Sequence, residues 1–290
     1  MLDFAGKVAV ITGAGSGFGR EFARIAADLG MKLALADIQA DALSAVMDDM
    51  RGKGVAVIGS KIDVSRAEDM DRFAAETFEA FGAAHLLFNN AGVASGGLIW
   101  ENTVADWQWV MGVNVWGVIH GVRCFVPHML AQGDECHVVN TASVAGLLSA
   151  QMMGVYNVSK HAVVTLSETL FQDLRVVGAS IGVTVLCPAF VNTGIKDSGR
   201  NRPADMTSDA PLTESQKIAQ AQSTKAVTSG RMTAREVADM TFECIRENKF
   251  YCLTHKKILG SVELRLADIM AERNPSDPFS YKKDVAFTAN

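Results

Sequence analysis

The chain has 290 residues, 49% of them hydrophobic, and a formal net charge of -5, which suits one large α/β domain or two small ones and gives no basic excess to suggest a nucleic-acid partner. The five cysteines and six histidines form no C-x-x-C pair or His/Cys cluster, so we expect reduced thiols and no metal site. The absence of a targeting segment and of an apolar run of membrane-spanning length predicts a cytoplasmic protein without membrane contact.

The first predicted element is a buried strand that breaks into a glycine-rich turn. Val8 to Ile11 form an apolar, β-branched run, and Gly13, Gly17 and Gly19 follow at the start of a helix that ends near Gly30. This arrangement suits a phosphate, because glycines let the backbone approach a ligand and a helix N-terminus presents free N–H groups. The spacing differs from G-x-G-x-x-G, so the turn alone is equally compatible with an ordinary tight turn.

A second strand, Lys32 to Ala36, ends in Asp37. An acidic residue about 20 residues past the glycine turn is where a dinucleotide fold bonds the adenosine ribose. Asp37 would repel a 2′-phosphate, and Ala14, Ser16 and Ile38 supply no basic side chain to receive one. These observations favour NAD over NADP. Taken alone, Asp37 also fits a helix N-cap.

The chain continues with a helix over 40–53, a strand over Val55 to Gly59, a helix from about Arg66 to 81 and a fourth strand over His85 to Phe88. Asp63, between the third strand and its helix, suits the adenine amino group or a helix cap, and the two roles can coexist. The fourth strand runs into Asn89-Asn90-Ala91-Gly92, whose small residues leave room for a cofactor and whose amides can tie strands together. By itself this segment also fits a turn.

Helices near Val104 to Met111 and Asn114 to Leu130 precede a fifth strand over Cys136 to Thr141, a helix over Val155 to Val177 and a sixth strand over Ile181 to Cys187. Asn114 is a polar residue within an apolar segment, and Ser143 lies just beyond the carboxyl end of the fifth strand, where open α/β sheets bind ligands. Tyr156 and Lys160 are four residues apart and share one helical face. Buried polar bridging is the structural alternative for Asn114 and Ser143.

From about Gly194 to Gly230 the composition changes to a weakly periodic segment that we interpret as a mobile lid. A helix over Arg235 to Glu247, a seventh strand over Phe250 to Leu253 and a helical segment over His255 to Arg273 follow. No linker divides the chain. We therefore expect a catalytic domain over 1–255 that contains the lid at about 194–230, with a helical extension over 256–290 packed on the same domain.

Taken in order, these motifs make the chain similar to the classical short-chain dehydrogenase/reductase family up to about residue 255. The motifs are Thr12-Gly13-x3-Gly17-x-Gly19, Asp63, Asn89-Asn90-Ala91-Gly92, Asn114, Ser143, Tyr156-x3-Lys160 and Pro188-x2-Val191-x-Thr193. The resemblance implies an α/β, single-domain Rossmann fold, a doubly wound seven-stranded parallel sheet with helices on both faces. Ala189 replaces the family's usual glycine and Phe18 its usual isoleucine, and we expect neither departure to abolish activity.

The resemblance also implies the roles of individual residues. It implies a catalytic tetrad of Asn114, Ser143, Tyr156 and Lys160, a homo-oligomer (tetramer or dimer), and cofactor contacts from Gly13, Ser16, Gly17, Phe18, Gly19, Asp37, Ile38, Asp63, Val64, Asn90, Ala91, Gly92, Tyr156, Lys160, Pro188, Val191 and Thr193. Tyr156 is then the acid/base, with Lys160 and an oxidised nicotinamide lowering its pKa. Ser143 orients the substrate oxygen, and Asn114 supports a water chain from Lys160 to solvent.

The substrate pocket is predicted to be apolar and to include Ser143, Val144, Met153, Tyr156 and Phe190, with Leu147, Met152 and Trp100 nearby. We hypothesise an NAD-dependent enzyme that interconverts a medium-sized apolar or aromatic secondary alcohol and its ketone. Arg200 and Arg202 in the lid are the best candidates for contact with an anion. The alternatives are a non-catalytic NAD(H) sensor, against which the complete tetrad argues, a 3-hydroxyacyl or sugar-type reductase of the same family, and an extended-branch epimerase or dehydratase.

Overall fold

The computed structural model describes residues 1–207 and 210–280. Seven parallel strands form one sheet in the order β3-β2-β1-β4-β5-β6-β7. They are β1 Val8–Thr12, β2 Lys32–Asp37, β3 Val57–Lys61, β4 Leu86–Asn89, β5 Cys136–Thr141, β6 Ile181–Cys187 and β7 Tyr251–Leu253. The strand order reverses between β1 and β4, and the crevice at that switch point is where such sheets bind ligands. The predicted doubly wound Rossmann fold is confirmed.

Helices cover both faces of this sheet. They are α1 Gly17–Asp28, α2 Ala40–Gly52, α3 Ala67–Phe81, α4 Val104–Met111, α5 Gly117–Gln132, α6 Gly154–Val176, α7 Glu214–Ser229, α8 Ala234–Arg246 and α9 Leu259–Met270. Short 3-10 turns occupy Val144–Gly146, Gly194–Asn201, Ala204–Met206 and Lys256–Ile258.

The alternation of side chains along the strands produces one apolar core on each face. In β1, Ile11 packs into the cluster that contains Phe22 of α1 and Phe242 of α8, whereas Val10 packs into the cluster with Phe73 of α3. Because both faces are covered, all five residues of β1 are buried. This accounts for its continuous apolar sequence.

The third strand begins two residues later than the sequence suggests, at Val57 instead of Val55. Residues 53–55 complete the end of α2, since Gly54 N donates to Arg51 O at 2.9 Å and Val55 N donates to Met50 O at 3.1 Å. Gly54 has a φ of +76°, a conformation that ends a helix.

The predicted break between the helices near 111 and 114 is absent, because the π-helical segment Gly112–Trp116 joins α4 to α5. Among the described residues, the resulting helix Val104–Gln132 is the one that is long and apolar enough to cross a membrane. Its mean hydropathy reaches 1.3, and 61% of that window is buried within the protein. The prediction that no apolar run has this length is therefore wrong, and burial against the sheet and α3 explains the composition.

The lid contains more regular structure than the sequence indicates. Thr213 begins α7 with a capping box, in which its hydroxyl accepts from Gln216 N and the Gln216 side chain accepts from Thr213 N. This T-x-x-Q pattern was a readable signal for a helix, but α7 lacks a clear apolar stripe. Residues 208 and 209 of the predicted lid and 281–290 of the predicted extension lie outside the described residues. The domain boundary at 255 stays a prediction.

Candidate active site

The turn after β1 is a cradle made of backbone. Gly13 and Gly17 have φ values of +66° and +52°, in the left-handed region that residues with side chains rarely adopt. At Gly19 the constraint is space, because a Cβ there would lie 2.1 Å from the carbonyl oxygen of Gly13. Since α1 begins at Gly17, the free N–H groups of its first turn lie at this cradle.

Thr12 joins β1 to the segment after β4. Its Oγ1 accepts hydrogen bonds from Asn90 N at 2.9 Å and Ala91 N at 3.2 Å, and Asn90 Nδ2 donates to Thr12 O at 3.0 Å. One strand further along the sheet, Asn89 Nδ2 donates to Asn140 Oδ1 at 2.9 Å. The amides therefore tie neighbouring strands together, as their position at the end of β4 predicts.

A single cavity extends from this cradle to α6 and the lid. Of the predicted cofactor residues it is lined by Gly13, Ser16, Gly17, Phe18, Asp37, Ile38, Asp63, Val64, Asn90, Ala91, Gly92, Tyr156, Lys160, Pro188 and Thr193. Gly19 packs beneath the turn and Val191 is buried in the core, so neither lines the cavity. Sequence reasoning missed Gln39, Ile62, Val93, Trp109, Val113, Thr141, Ala142, Gly194, Ile195, Ser198, Asn201 and Pro203 as lining residues.

Asp37 and Asp63 are the two acidic residues that the sequence predicts to contact adenosine, and both line the cavity. Asp37 Oδ2 accepts from Gly15 N at 2.8 Å and its Oδ1 accepts from Gln39 N at 2.9 Å. Asp63 Oδ1 accepts from Ser65 N at 2.9 Å and Ser65 Oγ at 2.7 Å. Both side chains thus stabilise local turns and also border the cavity. Neither is a helix N-cap, because Gln39 precedes α2 and Arg66 precedes α3. Their contact with adenosine stays a prediction.

Lys160 and Tyr156 lie side by side on α6. Lys160 Nζ donates to Thr141 O at 2.9 Å and lies 5.6 Å from the centroid of the Tyr156 ring. Burial lowers the pKa of Lys160 to about 8, because desolvation disfavours the ammonium. Burial likewise raises the pKa of Tyr156 to about 12, and its hydrogen bond with Ser143 acts in the opposite direction.

The prediction that Lys160 lowers the pKa of Tyr156 is not met in the protein alone. Desolvation of the phenol is the larger influence, and the one opposing group is Ser143. The ammonium of Lys160 is instead directed at Thr141 O. The chain by itself therefore holds Tyr156 in its protonated form.

Ser143 connects the ends of β5 and β6. Its Oγ donates to Pro188 O at 3.3 Å and accepts from Ala145 N at 3.2 Å. The residue is 8% exposed and does not line the cavity. Pro188 precedes Ala189, which has no positive φ and whose N–H donates to Thr254 Oγ1 at 3.2 Å, so alanine is tolerated where the family has glycine.

Asn114 lies in the π-helical segment and is fully buried. Its Oδ1 accepts from Val93 N at 2.8 Å, and its Nδ2 donates to Val93 O at 2.9 Å and Ser159 Oγ at 3.0 Å. A methyl group on Gly92 would lie 3.4 Å from Asn114 Oδ1 and 3.6 Å from Lys160 Nζ. The amide thus bridges the loop after β4 to α6 beside Lys160, and its predicted part in a water chain stays a prediction.

The substrate wall differs from the sequence prediction. Val144, Met153 and Phe190 do not line the cavity, and Trp100 is 76% exposed. Met153 forms a β-bridge with Gly97. This bridge links the residue that precedes α6 to the loop between β4 and α4. The apolar lining near Tyr156 comes instead from Val93, Trp109, Val113, Ile195 and Pro203.

Two contacts fasten the lid to the opposite wall of the cavity. Ser198 Oγ accepts from Ala94 N at 3.1 Å. Arg202 forms an ion pair with Asp106, which lies in the first turn of α4, and its guanidinium lies 5.3 Å from the ring centroid of Trp109. Burial raises the pKa of Asp106, but hydrogen bonds from Arg202 and Thr103 outweigh this and hold it below its usual range. The ion pair is thus present at neutral pH and is lost as acid protonates Asp106.

Replacing Arg202 should loosen the lid. Arg202→Gln leaves the buried Asp106 carboxylate with only its Thr103 hydrogen bonds, and we expect a loss of about 2 kcal/mol of stability with faster thermolysin cleavage within 194–230. Urea unfolding and limited proteolysis measure the two effects. Lys217→Gln is the matched control, because its ion pair with Glu214 is exposed and should contribute little. Equal behaviour of the two variants would contradict this assignment.

Residues 7–204 match the family model for short chain dehydrogenases. The chain therefore belongs to the classical short-chain dehydrogenase/reductase family, whose members are oxidoreductases that act on small molecules. It is 34% identical over 277 residues to a CLA biosynthesis dehydrogenase/reductase of Lactiplantibacillus plantarum, covering 95% of this chain and 97% of the relative. It is 32% identical over 288 residues to a C alpha-dehydrogenase of Sphingobium sp. (strain NBRC 103272 / SYK-6), covering 98% and 93%.

A solved structure with the same fold is that of a short chain dehydrogenase/reductase from Burkholderia phymatum in complex with NAD. It shares 56% sequence identity and superposes with a TM-score of 0.95 over 97% of this chain and 100% of that chain. Because the superposition covers 97% of this chain, the structural similarity includes most of the lid and of α9 as well as the sheet.

Proposed function

We propose that this protein is an NAD-dependent oxidoreductase that interconverts a medium-sized, apolar or aromatic secondary alcohol and its ketone, with Tyr156 as acid/base. One observation carries the proposal. Tyr156 and Lys160 line the same cavity as the glycine cradle and the apolar residues Val93 and Trp109. We also propose that the protein forms a homo-oligomer and is located in the cytoplasm.

The residues present fit a dinucleotide. A side chain at Gly13, Gly17 or Gly19 would either strain the backbone or fill the cradle, so the turn is shaped for a ligand that approaches the main chain. Asp37 supports NAD over NADP, because its carboxylate borders the adenosine end and would repel a 2′-phosphate. The similar protein from Burkholderia phymatum was crystallised with NAD.

When bound, the nicotinamide supplies the hydride chemistry. The chain's own residues manage the proton and the orientation. Tyr156, held neutral by burial, donates its proton to a ketone oxygen. In the reverse direction the Tyr156 phenolate accepts the proton of an alcohol and becomes the neutral phenol. Ser143, fixed by Pro188 O and Ala145 N, orients Tyr156 through its hydrogen bond with the phenol. Lys160, anchored on Thr141 O, places a positive charge beside the phenol.

The apolar wall supports the substrate class. Trp109, Val93, Val113, Ile195 and Pro203 line the cavity with mainly apolar side chains. The C alpha-dehydrogenase and CLA biosynthesis dehydrogenase/reductase relatives carry dehydrogenase names, which supports an alcohol/ketone reaction.

The test follows reduced-cofactor absorbance with NAD and, separately, with NADP across aryl-alkyl carbinols, cyclic alcohols, steroids, sugars and 3-hydroxyacyl esters. Turnover of apolar or aromatic alcohols with NAD is expected. Turnover confined to sugars or acyl esters would contradict the substrate proposal. If no compound of the panel is turned over but the protein still binds NADH, the result would favour the alternative of a non-catalytic NAD(H) sensor.

Asp37 should set the cofactor preference. Asp37→Ser removes the repulsion toward a 2′-phosphate, and we expect the ratio of kcat/KM for NAD to that for NADP to fall at least about tenfold, which corresponds to about 1.4 kcal/mol. Asp41→Ser is the matched control, because Asp41 is exposed in the first turn of α2 and does not line the cavity. An unchanged ratio in Asp37→Ser would show that the preference originates elsewhere.

A further inference from the structure

Arg200 places an unmatched positive charge on the cavity surface. Lys160 and Arg200 are the two basic side chains that line the cavity within the described part of the chain. Lys160 is committed to Thr141 O at the catalytic end. In the lid, Lys196 pairs with Asp197 and Arg202 pairs with Asp106, whereas no carboxylate of residues 1–207 or 210–280 forms an ion pair with Arg200.

The guanidinium of Arg200 is held beside the glycine cradle. Its Nη1 donates to Gly194 O at 3.0 Å and Asp197 O at 2.8 Å, and a methyl group on Gly194 would lie 3.2 Å from Nη2. The preceding residue, Thr193, touches the cradle, because a methyl group on Gly17 would lie 3.4 Å from Thr193 Cβ. Backbone contacts thus fix one side of the guanidinium, and the side chain lines the same cavity as the glycine cradle.

We propose that Arg200 binds the pyrophosphate of the dinucleotide; this inference rests on the proposed function. The pyrophosphate carries two negative charges, and the cradle offers it backbone N–H groups, the Ser16 hydroxyl and the helix dipole but no positively charged side chain. Asp37 and Asp63 add negative charge to the same cavity. A planar guanidinium with unused donors matches phosphate oxygens in geometry as well as charge.

A carboxylate on the substrate is the competing partner for the same guanidinium. An experiment can distinguish the pyrophosphate from a substrate carboxylate as the ligand of Arg200, because ADP-ribose contains the pyrophosphate but neither nicotinamide nor substrate. Adenosine contains neither the pyrophosphate nor any charge. Comparing these two molecules therefore separates the contacts of the pyrophosphate and terminal ribose from those of adenosine, nicotinamide and substrate.

The experiment compares wild type, Arg200→Gln, Arg200→Lys and Lys196→Gln by calorimetric titration with NADH and ADP-ribose, and with adenosine by competition, at low and high salt. We expect Arg200→Gln to bind NADH and ADP-ribose about tenfold more weakly at low salt, since a charged hydrogen bond is lost. The loss should shrink at high salt. Arg200→Lys should recover part of the affinity. Adenosine binding and the Lys196→Gln control should match wild type.

Three outcomes overturn the inference. Unchanged binding of ADP-ribose by Arg200→Gln removes Arg200 from the pyrophosphate, and a raised KM confined to carboxylated substrates would then assign it to the substrate. An equal loss for adenosine and ADP-ribose would mean that Arg200 only supports the lid backbone. If wild type binds neither NADH nor ADP-ribose, the proposed function fails first and the inference fails with it.

Discussion

Tyr156→Phe is expected to lower kcat for both alcohol oxidation and ketone reduction by at least about 10³-fold, while the Kd for NADH stays within about twofold of wild type. The substitution removes the phenol hydroxyl that we propose exchanges a proton with the substrate in the cavity that Lys160 also lines. Because Phe has nearly the same volume, the buried ring should keep its packing.

The surroundings of Tyr156 tolerate this loss. Ser143 Oγ retains its hydrogen bonds to Pro188 O at 3.3 Å and from Ala145 N at 3.2 Å, so no polar atom is left unpaired. Tyr251→Phe is the matched control, because the Tyr251 hydroxyl donates to Glu168 at 2.6 Å on the far edge of the sheet and is partly exposed. That variant should keep wild-type turnover.

The pH dependence gives the same residue a second test. Since burial raises the pKa of Tyr156 to about 12, the phenolate fraction in the protein alone grows with pH throughout the neutral range. Alcohol oxidation should therefore accelerate as pH rises, whereas ketone reduction should not. Turnover in Tyr156→Phe within about tenfold of wild type would remove the phenol from the mechanism.

Gly19→Ala is the second substitution with a large expected effect. The added Cβ would lie 2.1 Å from Gly13 O and 2.7 Å from Gly13 C, and backbone atoms cannot rotate away as a flexible side chain can. Relieving the contact requires the cradle to move away from α1. We expect NADH binding to weaken at least about 100-fold and stability to fall by about 3 kcal/mol.

A control glycine separates crowding from the general effect of alanine. Gly52 lies at the end of α2, has no positive φ, and has no heavy atom within 4 Å of the position that a Cβ would occupy. Gly52→Ala should be neutral or slightly stabilising. Titration with NADH and urea unfolding of both variants provide the measurement, and wild-type binding by Gly19→Ala would show that the cradle does not depend on this close packing.

The fold was predictable because its strands are marked locally. β5 and β6 have the predicted bounds, Cys136–Thr141 and Ile181–Cys187, since each is a buried segment that contains valines and ends at polar or proline residues. The glycine cradle was equally visible, because its requirement for glycine is a property of the backbone. The strand order then places these ends together at one edge of the sheet.

Features that depend on contacts between distant segments were not visible. The displaced start of β3 arises from backbone bonds at the end of α2, and the joining of α4 to α5 through Gly112–Trp116 leaves no mark in residue periodicity. Likewise, the sequence predicted that Val144 and Phe190 would face the substrate, because both neighbour motif residues, yet neither lines the cavity.

By itself, the sequence determined the parallel sheet, the phosphate-binding turn and the identity of the Tyr156–Lys160 pair, because each is written in local residue types and spacing. The tertiary structure alone decided which surfaces surround that pair. Val93, Trp109 and Ile195 converge on the cavity from three separate segments, and burial, which depends on the whole fold, sets the pKa of Lys160 to about 8. Packing over long sequence distances, which no local pattern encodes, is the physical reason for this division.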